Sequence, residues 1–99
     1  MKLVFADEAR QDLIDIGDHI ARDNPTRALT FVQELRAAAS EILLTPQAFP
    51  ILPRYVHLGL RRRVHGNYLI FYRSDHTEVS IVRILHGARD YEALLDTDE

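Results

Sequence analysis

The sequence predicts an α+β fold in which an N-terminal strand and an antiparallel two-helix hairpin precede a three-stranded antiparallel meander and a short C-terminal helix. Three observations support this class. Apolar residues recur at helical spacing in the first half of the chain, alternating apolar runs fill the second half, and clusters of Gly, Asn, Asp and Pro separate them. A chain of 99 residues builds one hydrophobic core, so we expect a single domain over residues 1–99.

The strand and the helical hairpin are predicted from the first half. The apolar run at residues 2–5 is typical of an edge strand. Within residues 6–22, Ala9, Leu13, Ile16 and Ile20 recur on one helical face, and Asp12, Asp15 and Asp18 are expected on the opposite side. Asn24 and Pro25 suit the cap and first position of a second helix, which should end near Leu44 because Thr45-Pro46 follows. The short connection makes the two helices antiparallel.

The sheet is predicted from the second half. A loop with several prolines at residues 47–59 should lie on the domain with its apolar side chains inward. Strands are predicted at residues 60–65, 68–73 and 79–86, and the middle one (YLIFYR) is apolar on both faces, as a central strand should be. A short helix over residues 88–95 and an acidic tail end the chain. We expect the helices to cover one face of the sheet and the other face to carry Arg, His and Tyr side chains.

Composition excludes several classes of function. The chain has no cysteine, so disulfides, thiolate zinc sites and cysteine nucleophiles are excluded. Its five histidines lack the spacing of a metal site, and no dinucleotide, phosphate-loop or serine-hydrolase motif occurs. We therefore expect no metal and no cofactor. No signal peptide or membrane-length apolar run is visible, so we expect a cytoplasmic protein without a membrane partner.

Charge is distributed unevenly along the chain. The net charge is -3, yet residues 51–90 carry seven arginines against three carboxylates. This asymmetry favours one exposed basic face over scattered surface charge. Strand alternation places Arg61 and Arg63 opposite Arg62, and we expect the first two on the open face. Arg83 interrupts an apolar strand, so it is either used in function or paired with a carboxylate, for example Asp90 or Glu78.

Three stretches carry a resemblance to a known family: ADEARQDLIDIGDHIARDNPTRALTFVQEL, LRRRVHGNYLIFYRSD and VRILHGARDYEALL. They span nearly the whole chain, which resembles the RelE/ParE superfamily of toxins from type II toxin–antitoxin systems, and its ParE branch most closely. The resemblance implies a toxin that inhibits DNA gyrase and has no catalysis of its own. It also implies a hetero-oligomeric partner, a ParD-like antitoxin with a ribbon–helix–helix DNA-binding half, through which alone the toxin would reach operator DNA.

The exposed face predicted to bind a partner consists of Arg61, Arg63, Tyr68, Arg83, His86 and Arg89. RelE-type relatives of the family cut mRNA on the ribosome, and the resemblance implies an arginine in those enzymes where this chain has Tyr68. That difference and an acidic pI near 5.9 favour the gyrase inhibitor.

Two alternatives to the gyrase inhibitor remain open. The first is a ribosome-dependent mRNA endonuclease, for which the catalytic residues would be Arg61, Arg83, His86 and Tyr91. The second is an inactive member that only binds its antitoxin and helps to repress its own operon.

Overall fold

A computed structural model describes residues 1–96 of the chain, so the predicted acidic tail, apart from Asp96, lies outside the described residues. The elements, in order, are β1 (Lys2–Phe5), α1 (Asp7–Ala21), α2 (Pro25–Glu41), β2 (Arg61–His65), β3 (Tyr68–Ser74), β4 (Glu78–His86) and α3 (Tyr91–Asp96). Short 3₁₀ segments lie at Ile42–Leu44 and Pro53–Leu58. The predicted fold class and element order are confirmed.

The helical hairpin forms for the local reasons that the sequence contains. The Asn24 side chain accepts a hydrogen bond of 3.0 Å from the Arg27 N–H, and Pro25 occupies the first position of α2. The two helices approach closely at Gly17, where a Cβ atom would lie 3.3 Å from Val32 Cγ2. A glycine at this point therefore allows α1 and α2 to pack tightly.

Within residues 1–96, the strands form one mixed sheet in the order β1-β4-β3-β2. The meander β2-β3-β4 is antiparallel, whereas β1 pairs in parallel with β4, from Lys2 opposite Glu78 to Phe5 opposite Ile81. Because β4 continues to His86, its last five residues extend beyond β1. Helix α1 packs beside this extension, and a depression with several polar side chains lies between the two elements.

The sheet separates two apolar layers. The larger one lies under the helical hairpin and includes Leu13, Leu35, Ile70, Tyr72 and Ile81. The second, on the opposite face, contains Tyr55, Leu60, Leu69, Phe71, Leu85 and Leu95. The prediction that this second face carries exposed Arg, His and Tyr side chains is wrong, because the segment Pro53–Leu58 and α3 cover it. The Tyr55 hydroxyl donates a 2.7 Å hydrogen bond to Asp96 and so links these two covers.

The turn between β3 and β4 is held by one carboxylate. Asp75 Oδ1 accepts hydrogen bonds from the Thr77 hydroxyl (2.7 Å) and from the N–H groups of Thr77 (2.7 Å) and Glu78 (2.9 Å). The Thr77 hydroxyl, followed by the two N–H groups, lowers the pKa of Asp75 to about 2.

Substituting Asp75→Asn should therefore give a stability loss that depends on pH. A carboxylate with a lowered folded-state pKa stabilises the fold above its unfolded pKa of about 3.9, and this contribution disappears as the pH falls toward 2. Urea unfolding between pH 7 and pH 2 should show the variant less stable at neutral pH and converging with the wild type in acid. The exposed control Asp18→Asn should show no such convergence; a pH-independent loss for Asp75→Asn would contradict the assignment.

Candidate functional site

Arg61 and Arg63 lie on the face of the sheet that the helical hairpin covers. In the β2–β3 register, Arg61 is opposite Tyr72 and Arg63 is opposite Ile70, and both partners belong to the apolar layer under the hairpin. The expectation that these arginines stand on an open face is wrong. Strand alternation determines which residues share a face, but it does not determine which face the helices cover.

Each arginine binds a backbone carbonyl, Arg63 one near the end of α2 and Arg61 one in the loop that follows. Arg61 Nη1 donates to Phe49 O at 2.6 Å, and Arg63 Nη1 donates to Ala38 O at 2.7 Å. Arg63 also forms an ion pair with Glu41 at 2.8 Å. These bonds therefore attach the end of α2 and the following loop to strand β2 of the sheet.

Arg83 is paired, but with neither of the predicted partners. Its Nε and Nη2 atoms donate to the two oxygens of Asp12 at 2.8 and 3.0 Å, and the Asp12 carboxylate also accepts the Ile84 N–H at 2.9 Å. The two side chains are 13% and 9% exposed. Asp12 is therefore buried, and its predicted position on the solvent side of α1 is wrong. Strand β1 ends before it reaches Ile84, so the Asp12 carboxylate accepts the Ile84 N–H that a neighbouring strand would otherwise bind.

The residues proposed for an endonuclease are not brought together. Tyr91 packs on Phe71 (ring centroids 5.3 Å apart) in the second apolar layer, whereas His86 packs edge-on against Tyr68 at 5.1 Å. Arg61 and His86 are opposite Tyr72 and Tyr68, four residues apart along β3, which corresponds to roughly 13 Å.

The structure does assemble three of the predicted partner-binding residues in one depression, between α1 and the ends of β3 and β4. We call it the histidine cleft; its two adjoining parts have volumes of about 280 and 450 Å³. Its lining includes Asp15, Ile16, His19, Arg27, Phe31, Asn67, Tyr68, His86 and Arg89. Sequence reasoning missed His19, although it follows Asp12, Asp15 and Ile16 at the spacing of one helical face. The partner-binding roles of all six residues, inside and outside the cleft, stay predictions.

Hydrogen bonds define the polar groups of the histidine cleft. His86 Nδ1 accepts the Ala88 N–H at 3.0 Å, so the neutral ring carries its proton on Nε2. At the other end, Glu34 bonds to Arg27 and lies 3.2 Å from His65 Nε2. The bond from Arg27, and then the contact with His65, keep the pKa of Glu34 below its ordinary value.

A second surface lies on the solvent side of the helical hairpin, between α1 and α2. We call it the hairpin groove; its volume is about 370 Å³, and its lining is Leu13, Ile14, Gly17, Asp18, Pro25, Ala28, Leu29, Val32 and Arg36. Ile14 and Leu29 are 55% and 65% exposed, which is unusual for large apolar side chains placed together. Both lie outside the apolar stripes that predict the helices, so helical periodicity alone does not indicate a role for them.

Two structural features, a cluster of metal ligands and a membrane-length apolar helix, are absent from residues 1–96. This part of the chain holds no group of three or more His, Asp or Glu side chains that would bind a metal ion. It also holds no helix that is long and apolar enough to cross a membrane.

This architecture occurs in toxin–antitoxin assemblies. A chain of the chromosomal ParDE toxin–antitoxin system from P. aeruginosa superposes with a TM-score of 0.72 at 24% identity, over 87% of this chain and 95% of that one. A chain of the RelBE2 toxin–antitoxin complex from Mycobacterium tuberculosis gives a TM-score of 0.58 at 26% identity, over 86% and 95%. The fold is thus one that occurs in chains of toxin–antitoxin systems.

The family follows from the sequence match. Residues 3–91 match the model of the ParE toxin of the type II toxin–antitoxin system, parDE. The chain belongs to this family, which confirms the resemblance found in its motifs. No curated protein matches the chain at a significant level.

Proposed function

We propose that this single-domain toxin inhibits DNA gyrase in the cytoplasm by protein contact, without catalysis of its own. The observation that carries the proposal is the separation of Arg61, Arg83, His86 and Tyr91, since each is engaged in the fold or distant from the others. General acid–base catalysis needs its groups within hydrogen-bond reach of one substrate. Binding to another protein does not require catalytic groups to lie close together.

A ParD-like antitoxin is the proposed partner that neutralises the toxin. Its ribbon–helix–helix half would bind operator DNA, so the toxin would reach that DNA only indirectly. We place an amphipathic helix of the antitoxin in the hairpin groove, because exposed Ile14 and Leu29 offer the apolar contacts that such a helix buries. Asp18 and Arg36 line the same groove and would orient the helix through its charged side chains. The two solved structures described above both come from toxin–antitoxin systems, which supports this choice of occupant.

The gyrase target is tested with purified components. Gyrase, relaxed plasmid and ATP are incubated with increasing toxin, and supercoiling is followed by gel electrophoresis. We expect supercoiling to stop as toxin saturates gyrase and to recover when antitoxin is added. Unchanged supercoiling at saturating toxin would reject the proposal.

Growth arrest in cells separates the alternatives. The endonuclease hypothesis predicts that His86→Ala and Tyr91→Phe abolish arrest, whereas a gyrase inhibitor keeps its toxicity when Tyr91 becomes Phe, because the ring that packs on Phe71 is retained. An inactive family member would cause no arrest even as the wild type. Cleavage of mRNA on ribosomes is measured with the same variants, and the endonuclease hypothesis predicts that it is lost together with growth arrest.

A further inference from the structure

The histidine cleft exists because β4 is longer than β1. The last pair of the parallel ladder is Phe5 with Ile81, and Asp12 then bonds the edge of β4 at Ile84. Beyond that point α1 continues to His19 while β4 continues to His86, and the space between them stays open. Because β1 has ended, the backbone N–H and C=O groups on the outer edge of β4 point toward this space. The cleft is thus bounded by a helix face, a strand end and the β2–β3 turn.

One wall of the cleft is aromatic. Phe31 contacts Tyr68 at a centroid distance of 5.5 Å, and Tyr68 contacts His86 at 5.1 Å. Tyr68 and His86 are partly exposed, so they present ring surface to a ligand. An exposed aromatic ring can stack on a planar ligand, and stacking of a nucleobase on one aromatic side chain contributes about 1–3 kcal/mol. The Asn67 carboxamide at the rim offers the donor and the acceptor that the edge of a base requires.

Among the described residues that line the cleft, Arg89 is the cation available to bind an anionic ligand. Arg27 is committed to Glu34, and the Asp12 charge is neutralised by Arg83. Arg89 is exposed and forms no ion pair with any described residue. Asp15, which accepts a hydrogen bond from Gln11, is the opposing negative charge in this part of the cleft.

From these features we propose that the histidine cleft binds a nucleotide, with the base stacked on Tyr68 and the phosphate at Arg89. The His86 Nε2–H is an additional donor for the phosphate, and His19 on the opposite wall is another. The larger part of the cleft, about 450 Å³, falls in the range of about 300–1,000 Å³ typical of small-molecule sites. The nucleotide would come either from the free pool or from a single strand of nucleic acid, since both present the same base and phosphate.

The proposal is tested by NMR titration of the isotope-labelled full-length toxin. Adenosine 5′-monophosphate should shift amide signals of His19, Tyr68, His86 and Arg89 at lower concentrations than adenosine or inorganic phosphate does. Arg89→Gln should weaken binding roughly ten-fold, whereas Asp15→Asn should strengthen it, because it removes a repulsive charge. The matched control is Arg73→Gln, an exposed arginine near the Pro53–Leu58 segment, which should bind as the wild type does.

A short single-stranded oligonucleotide distinguishes the two sources. Binding tighter than that of the mononucleotide, with shifts centred on the same residues, identifies a strand of nucleic acid; equal or weaker binding identifies the free nucleotide. The proposal is overturned if inorganic phosphate matches the nucleotide, if the shifts lie elsewhere, or if Arg73→Gln weakens binding as much as Arg89→Gln. Inhibition of gyrase is measured separately, so failure of nucleotide binding leaves that proposal unaffected.

Discussion

Replacing Asp12 by alanine is expected to lower the free energy of unfolding by about 3–5 kcal/mol, the range found when one partner of a buried ion pair is removed. The substitution leaves the guanidinium of Arg83 without its bidentate carboxylate and removes the acceptor of the Ile84 N–H. Urea denaturation followed by circular dichroism measures the loss.

The neighbouring acid provides the control for this prediction. Asp15→Ala lies one turn further along α1 in an exposed position and should change stability by no more than about 0.5 kcal/mol. The paired substitution Asp12→Leu with Arg83→Met should recover part of the loss, because neither charge then remains buried. A loss below about 1 kcal/mol for Asp12→Ala would show that the pair does not stabilise the junction between α1 and β4.

Replacing Leu29 by glutamate is expected to weaken binding of the antitoxin at least 30-fold, or about 2 kcal/mol, the value that marks an interface hot spot. The side chain is 65% exposed in the hairpin groove, so the free toxin tolerates the charge, whereas the apolar face of a docked helix does not. Calorimetric titration of purified toxin with its antitoxin measures the change.

The control for Leu29 is Leu44, which is 82% exposed and lies outside the hairpin groove. Leu44→Glu introduces the same charge but should leave the affinity for the antitoxin unchanged. If the two variants bind equally well, the antitoxin does not occupy the groove. Circular dichroism of each variant verifies that the fold is retained.

The central strand contained the evidence that both faces of the sheet are covered, although one face was predicted to be open. The run YLIFYR is apolar at both even and odd positions, and each set packs in a different layer, Ile70 and Tyr72 under the hairpin and Leu69 and Phe71 on the other side. Such a strand requires a cover on both faces. The covering segments were less predictable, because Pro53–Leu58 and α3 have little periodicity and fold against the sheet for tertiary reasons.

The polar part of the structure was harder to predict than the helices and strands. Asp12 lies at the edge of the apolar stripe on α1, and its burial depends on an arginine distant in sequence. Local patterns contain no information about such a partner. His19 was missed for the same reason, since its importance comes from facing His86 across the cleft. Tyr68 was named because the resemblance implies an arginine at its position, and His86 because it ends a predicted strand; the structure has them at the start of β3 and the end of β4.

The parallel pairing of β1 with β4 has a consequence for the synthesis of this toxin. Lys2 pairs with Glu78, so the first strand has no partner until 76 further residues (78 minus 2) have been added. At about 5–20 residues per second, that delay is roughly 4–15 s on the ribosome. The helical hairpin, whose contacts are local, can form during this interval, while the sheet that buries its apolar face cannot. A nascent toxin therefore offers its hairpin to a binding protein well before its fold is complete.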